Sequence, residues 1–422
     1  MSLEKYKGDM EMCCRCSACK WIPLQQVSGY EFANVCPSIS KFNFHSYSGG
    51  GRMNIGAAKL RGEIDYTDRL LHIVYNCQMC GACGVSCNYA MDMNVMEPIY
   101  EFRIKCVKDG KTQPALDQVI EGLRKNDSVY PPSGKRGDWA KDLDLPDAAK
   151  DQVEVLLYVG DVTSYDPELQ KLAKATARIL KKAGVSFGIA GDAEVSSGDR
   201  AYQMGYEEDF LNLARKNMEY ITKHGIKTVI TADAESYQAF KVLYDKYKLR
   251  GDLQVLHITE YLQQLMLEGK LKPKNNVDLN VTYHDPCHLG RLGEPWKHWE
   301  GKKIPGDRFV FDPPRPYRRG TDGVYEAPRD VLKSIPGIKL TEMKRTREYA
   351  WCCGSGGGVG RSNPEFAQWT AGERIDEAET TGAEVIVTAC PWCQKLFNKT
   401  IEDGGSHLKV FDIVELFEQA IE

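Results

Sequence analysis

Long apolar runs are missing from this chain: nowhere in its 422 residues does one approach the roughly eighteen positions that a membrane-crossing helix requires. The opening MSLEKYKGDMEM also lacks the apolar segment of a secretory signal. The expectation is a cytoplasmic chain with no transmembrane segment, membrane-peripheral only through its partners. An excess of positive charge is absent too. Lys and Arg number 55 against 59 Asp and Glu, a net charge of −4, which excludes the basic footprint of a nucleic-acid binder. Nor does any G-x-G-x-x-G stand between a strand and a helix with an acid beyond it. The run GSGGGVGRS at 354–362 directly follows paired cysteines, where close backbone approach to a bound group accounts for its glycines. Any flavin or nicotinamide chemistry is therefore expected on other subunits.

What the chain has in quantity is cysteine, fifteen residues of it. Tight C-x2-C spacing in a reducing compartment reads as metal ligation rather than as a disulfide framework. Cys13, Cys16 and Cys19 form C-x2-C-x2-C, with Cys36-Pro37 after sixteen further residues, and Cys77, Cys80, Cys83 and Cys87 give C-x2-C-x2-C-x3-C. Three cysteines so spaced wrap one corner of a 4Fe–4S cube, and the fourth ligand comes from elsewhere. Because the last cysteine of each run in a two-cluster ferredoxin ligates the other cluster, Cys13, Cys16, Cys19 and Cys87 are assigned to one cubane and Cys36, Cys77, Cys80 and Cys83 to a second. Structural zinc needs only pairs of C-x2-C and leaves the triples unexplained. Asn88 stands where such a run usually carries proline. Cys14 and Cys106 fit neither quartet and read as packed or spare thiols. Gly49–Gly51 read as a flexible linker, since no strand precedes them and no Lys-Ser/Thr follows.

Beyond residue 150 the chain repeats itself. VEVLLYVGDVTSYD at 153–166 matches NVTYHDPCHLG at 280–290, VSSGDRA at 195–201 matches WCCGSGG at 351–357, and ITKHGIKTVITADAESY at 221–237 matches ETTGAEVIVTACPWCQK at 379–395. The second copy holds Cys287, Cys352, Cys353, Cys390 and Cys393. At those places the first has Asp161, Ser196, Ser197, Asp233 and either Glu235 or Ser236, so it has lost every sulfur. Strand and helix patterns alternate in each copy, with LQKLAKATARILKKAG at helical spacing and VSFGIAG as a short strand. The expected fold is α+β and multi-domain: a mainly helical two-cluster domain at 1–110, a linker at 111–150, a cysteine-free α/β repeat at 151–270 and a complete repeat at 271–422. An insertion, 292–322, separates Cys287 from Cys352. It is rich in Pro, Trp and basic residues and reads as an exposed loop, either one that covers the site or docks a partner or a passive surface excursion. The first repeat reads as a scaffold.

The pentad Cys287, Cys352-Cys353-Gly354 and Cys390-x2-Cys393 resembles the cysteine-rich CCG domain of heterodisulfide reductases and related anaerobic iron–sulfur oxidoreductases. The order of quartets followed by two CCG repeats resembles the fused catalytic subunit of the membrane-linked heterodisulfide reductase. That resemblance implies one noncubane 4Fe–4S cluster on Cys287, Cys352, Cys353, Cys390 and Cys393, where the family has two such clusters facing each other to split a disulfide. It further implies an electron-transfer subunit of a larger complex with flavin-containing or iron–sulfur partners. The GEPWKHWEGKK segment and the single complete motif resemble the heterodisulfide-reductase-like subunit of the class II benzoyl-CoA reductase complex, which implies an electron-bifurcating setting. Two other functions stay open: a thiol–disulfide reductase in its own right, and a structural subunit. Zinc on Cys352, Cys353, Cys390 and Cys393 also stays open, because four thiolates satisfy a tetrahedral site. His284 and His288 flank Cys287 and read as hydrogen-bonding neighbours. No residue is assigned as catalytic.

Overall fold

In the computed structural model, which describes residues 2–91, 93–295, 299–307, 310–315 and 320–421, the N-terminal domain is built from helices. Pro37 starts the helix Pro37–Phe42 immediately after Cys36, where its fixed φ suits the first turn. The Ser48 hydroxyl accepts the Gly51 N–H (3.0 Å) and so caps Gly49–Leu60. The expected linker at Gly49–Gly51 is thus the first turn of a helix, all three glycines buried. Helices Asp68–Tyr75, Ala82–Met91 and Met96–Lys108 complete the domain. From the last of these, the fully buried Arg103 donates to the carbonyls of Cys77, Gln203 and Gly357, each at 2.8 Å, and so ties this domain to both repeats.

Each repeat is a parallel sheet with helices packed on it. In the first, β1 (Val155–Tyr158), β2 (Thr228–Thr231) and β3 (Gln254–His257) lie in the order β1-β2-β3, with Val155 opposite Thr228 and Val229 opposite Val255. In the second, β4 (Leu279–Tyr283) is followed by an inserted antiparallel ribbon, β5 (Lys302–Lys303) with β6 (Phe311–Asp312), and then by β7 (Ile338–Leu340), β8 (Val385–Thr388) and β9 (Lys409–Asp412). The order there is β7-β4-β8-β9, all parallel. Near-continuous Val/Ile/Leu runs are what strands covered on both faces demand. The helix Gln170–Lys182 buries Leu172, Ala173, Ala175, Thr176, Ala177, Ile179 and Leu180, the face its spacing marks. The chain is therefore the α+β multi-domain protein that its pattern implies.

Three further local expectations change. The linker expected at 111–150 holds the helix Pro114–Asn126, with Leu116, Ile120 and Leu123 buried. VSFGIAG forms only isolated bridges, Gly188 with Leu156 on one side through bonds of 2.9 Å and Ile189 with Asp147 on the other. The insertion is not simply an exposed loop: Arg291, Leu292 and Glu294 at its start are buried, and Glu294 accepts the N–H groups of Gly320 and Asp322 across its base. Trp296, Lys297 and His298 of the GEPWKHWEGKK segment, together with 308–309 and 316–319, lie outside the described residues.

Candidate metal centres

Positive φ at Arg15 (60°) and Ser17 (68°) curls the first cysteine run into a bowl, and Cys13, Cys16 and Cys19 line one small cavity with Cys87 from the helix Ala82–Met91. The Gly50 N–H points at Cys19 Sγ (3.4 Å), a donor of the kind that tunes a bound cluster. A side chain at Gly50 would meet Cys13 Sγ at 3.0 Å, and one at Gly49 would meet Cys83 Sγ at 3.0 Å, so this glycine pair stands between the two quartets. The sequence signal was there, three glycines between ligand runs, but composition alone reads as a linker.

Cys36, Cys77, Cys80 and Cys83 form a second group. Burial pushes the Cys36 thiol up to about 12, with Arg52 opposing and the charges of Cys77 and Cys80 adding. Cys83 is raised by burial and then by Cys36, Cys77 and Cys80. Buried thiols this close cannot all ionise without compensating positive charge, and that donor chemistry fits iron. Cys14 is exposed beside the first group, and Cys106 is buried away from both, where Tyr66 is its hydrogen-bonding neighbour.

The pentad sits at the C-terminal ends of β4 and β8, where parallel sheets place their sites. Cys287 follows β4, Cys390 occupies the N-cap of the helix Pro391–Gly404, and Cys393 lies in its first turn. All five thiols are buried. Cys352 is the hub, its thiol acting on those of Cys287, Cys353 and Cys80. That interaction holds Cys287 and Cys353 well below the usual thiol range against the penalty of burial, and brings Cys80 to about 6. Cys287 Sγ also meets His288 Nδ1 at 3.3 Å. One ring nitrogen of His284 and the sulfurs of Cys353 and Cys393 lie within 4.8 Å of one another, a grouping that also suits a single metal ion. Arg329 grips Asp285 with bonds of 2.7 and 2.9 Å and Arg374 donates to His284 (3.2 Å), which fixes the chain just before Cys287.

The second quartet and the pentad adjoin. Cys36, Cys80, Cys287 and Cys352 pack into one apolar cluster with Ile22, Val27, Ala33 and Val35. Arg291 donates to the Cys80 carbonyl (2.6 Å) and to the Ala350 carbonyl (2.6 Å), pinning the two cysteine loops together. Of the glycines after the paired cysteines, Gly354 brings its N–H to Cys352 Sγ (3.3 Å), the close backbone approach expected at a bound group, while Gly357 serves the junction. A side chain at Gly357 would lie 2.2 Å from the Cys77 carbonyl, and one at Gly354 would lie 2.4 Å from the Ala367 carbonyl.

In the first repeat, Asp233 caps its helix as Cys390 does, so Ser236, three residues on, takes the place of Cys393. Each polar replacement has a protein partner. Ser236 donates to Asp233 (2.6 Å), Ser197 to Asp199 (2.9 Å), Arg136 to Asp161 (2.6 Å), and Ser196 accepts from Gly198 (3.3 Å). Burial and the charge of Asp199 push the Asp233 carboxyl up to about 7. Arg200, which the sequence did not single out, donates to Glu235 (2.7 and 2.9 Å) and to Ser355 (3.0 Å), and its guanidinium carbon lies 3.4 Å from the ring centroid of Trp392, between Cys390 and Cys393.

Comparison with known proteins bears on these centres. The cysteine-rich CCG domain matches residues 162–239 and 315–398, and a 4Fe-4S dicluster domain matches 9–91. A subunit of the dihydromethanophenazine:CoB–CoM heterodisulfide reductase of Methanosarcina mazei is 30% identical over 432 residues, covering 98% of this chain and 94% of the relative. The probable iron-sulfur-binding oxidoreductase FadF of Bacillus subtilis is 29% identical over 383 residues, covering 87% of this chain and 50% of the relative, so this chain spans about half that protein's length. The EtfAB:quinone oxidoreductase of Syntrophomonas wolfei is 30% identical over 371 residues, covering 83% of this chain and 46% of the relative. Among solved structures, a hypothetical protein from Helicobacter pylori shares the fold at a TM-score of 0.53 and 12% identity, over 89% of this chain and 68% of its own.

Proposed function

The chain belongs to the heterodisulfide reductase family of iron–sulfur oxidoreductases, with a dicluster domain and cysteine-rich CCG domains, and from that premise we propose that it is an electron-relay component of a larger redox complex. Cys13, Cys16, Cys19 and Cys87 would hold one cubane cluster, Cys36, Cys77, Cys80 and Cys83 a second, and Cys287, Cys352, Cys353, Cys390 and Cys393 a noncubane cluster. Such groups supply one-electron oxidation and reduction at potentials that the surroundings set anywhere from about −700 to about +450 mV. The observation that carries the relay role is that Cys36 and Cys80 of the second quartet pack in one apolar cluster with Cys287 and Cys352 of the pentad.

The residues around this line exclude water and fix the thiols. Cys14 and Cys16 alone among the fifteen cysteines are exposed, so the line runs from a surface end to a buried one. The buried end argues against the alternative role of an independent thiol–disulfide reductase. On the side where the family carries a second cluster, Arg200 and Glu235 stand against Trp392, and the side chains of Ser197, Asp199, Asp233 and Ser236 bond to one another. A disulfide would have to displace this network to reach the pentad. The narrower setting we propose is an electron-bifurcating assembly of the benzoyl-CoA reductase type, supported by the insertion and by the sulfur-free first repeat.

The test is anaerobic purification, assay of iron, zinc and acid-labile sulfide per chain, and electron paramagnetic resonance during a reductive titration. About twelve irons without zinc and three redox-active centres are expected. About eight irons with one zinc would make the pentad structural and remove the relay role. Rapid turnover of small disulfides by the isolated chain would favour the reductase instead.

A further inference from the structure

We propose that the segment from Lys20 to His45, a loop that runs into the short helix Pro37–Phe42 beside the first quartet, is the docking surface for an acidic protein that exchanges single electrons with this chain. Its exposed apolar side chains carry the inference. Trp21 (52% exposed), Leu24 (54%), Tyr30 (81%) and Phe44 (65%) all lie on this one loop, whereas Leu267, Ile304 and Val310 are the other exposed large hydrophobics among the described residues. Fraying does not explain them. Trp21 bridges Asn34, the Ile22 N–H bonds to the Ala33 carbonyl (2.8 Å) and the Val35 N–H to the Lys20 carbonyl (2.9 Å), and Ile22, Val27, Ala33 and Val35 are buried on the inner side. The loop is anchored by one apolar face and displays another. Aromatic side chains held out on a fixed frame are the usual anchors of protein interfaces.

The same loop borders the part of the cysteine line that reaches solvent. Cys14 and Cys16 are exposed, and His45 at the loop's far end lines the cavity of the first quartet with Cys13, Cys19 and Cys87. A carrier seated here would bring its redox group close to that quartet. Charge gives the partner's chemistry. Arg15 and Lys20 have no carboxylate partner among the described residues, both act on His45, and the acid on the loop, Glu31, is paired with Lys344 at 2.9 Å. In a chain of net charge −4 this is a basic rim around an apolar centre, complementary to an acidic rim. A lipid surface is the poorer match: two free cations contribute only about 1 kcal/mol each at an anionic membrane. One electron passes between the partner's centre and the quartet, and no bond or proton is exchanged.

The docking role rests on the relay function, and the test separates the two. The cluster-loaded full chain, kept anaerobic, is titrated with flavodoxin, an acidic one-electron carrier, by calorimetry, and flavodoxin-driven and viologen-driven reduction are compared by stopped flow. Saturable binding is expected, weakened about tenfold or more by Lys20→Glu, by the pair Leu24→Ser and Tyr30→Ser, and by raising the salt to about 0.5 M, with viologen rates unchanged. No saturable binding, or binding indifferent to these variants, overturns the proposal. So does cosedimentation with phosphatidylglycerol vesicles that the same variants abolish, since the loop would then be a lipid anchor. If viologen reduces the quartets but never the pentad, the relay fails while the docking result stands.

Discussion

Replacing Arg200 by leucine asks whether the sulfur-free repeat serves the pentad or merely adjoins it. Arg200 holds Glu235 through bonds of 2.7 and 2.9 Å, reaches Ser355 just beyond the paired cysteines, and stacks on Trp392 at 3.4 Å. Glu235 is 3% exposed, so the substitution strands a buried carboxylate, at a cost of about 3–5 kcal/mol. For a unit of 150–250 residues each kcal/mol moves the melting temperature by about 2–4 °C, which predicts a fall of roughly 6–20 °C. Changing Glu235 to leucine as well removes the stranded charge and should restore most of the loss. Burial already holds the Glu235 carboxyl well above its ordinary range, with Arg200 opposing. Without the guanidinium that elevation grows. A carboxyl raised in the folded state lends stability at low pH that is lost as pH rises through its folded value, so the single variant should lie closer to wild type at about pH 5 than at about pH 8. Differential scanning calorimetry of the anaerobic, cluster-loaded chain reads all three effects. A loss below about 2 °C, or a double variant no better than the single one, would refute the reasoning.

Gly50→Val would drive a methyl group into Cys13 and Cys19 (contacts of 3.0 and 3.5 Å from the first added carbon), and iron should fall from about twelve to about eight per chain, as read by colorimetric assay. Cys14→Ser and Cys106→Ser should each keep the full iron content, whereas Cys352→Ser should lose the pentad's share; loss of iron in either of the first two would add a ligand to the thirteen proposed. The Asp233 carboxyl, raised by burial and by Asp199 to about 7 from an unfolded value of about 3.9, lends stability that is complete below about pH 4 and lost as pH rises through about 7. Asp233→Asn keeps the cap and cannot ionise, so its melting temperature should exceed that of wild type at about pH 8 but not at about pH 4.5, and a wild-type melting temperature flat across that range would exclude the effect.

Much of this was legible because metal ligation is local in sequence. A C-x2-C-x2-C run announces its chemistry without a partner, and the matched strand and cysteine positions exposed the duplication on their own. The failures share one cause, long-range packing that overrides a local signal. Gly49–Gly51 read as a linker because glycine is permissive, and only the fold shows Cys83 on one side and Cys13 on the other. The glycines after Cys353 read as close approach to a bound group, which fits Gly354 beside Cys352 Sγ, but Gly357 is required as well by the Cys77 carbonyl of another domain. VSFGIAG has a strand's composition, but its pairing is split between Leu156 on one side and Asp147 on the other. Arg200 carried no signal, since nothing in VSSGDRA indicates that its side chain lies across Trp392. Loss of the sulfurs from the first repeat is informative in the same way. Removing five ligands and a cluster from a buried site leaves a polar hole, and a hole is tolerated only if its donors and acceptors are satisfied. Ser236 with Asp233, Ser197 with Asp199 and Glu235 with Arg200 are paired in this way, and Asp161 is held by Arg136, whose Nη1 alone has no partner among the described residues. A cysteine placed at any one of these positions would break a pair, so the network itself favours the repeat without them.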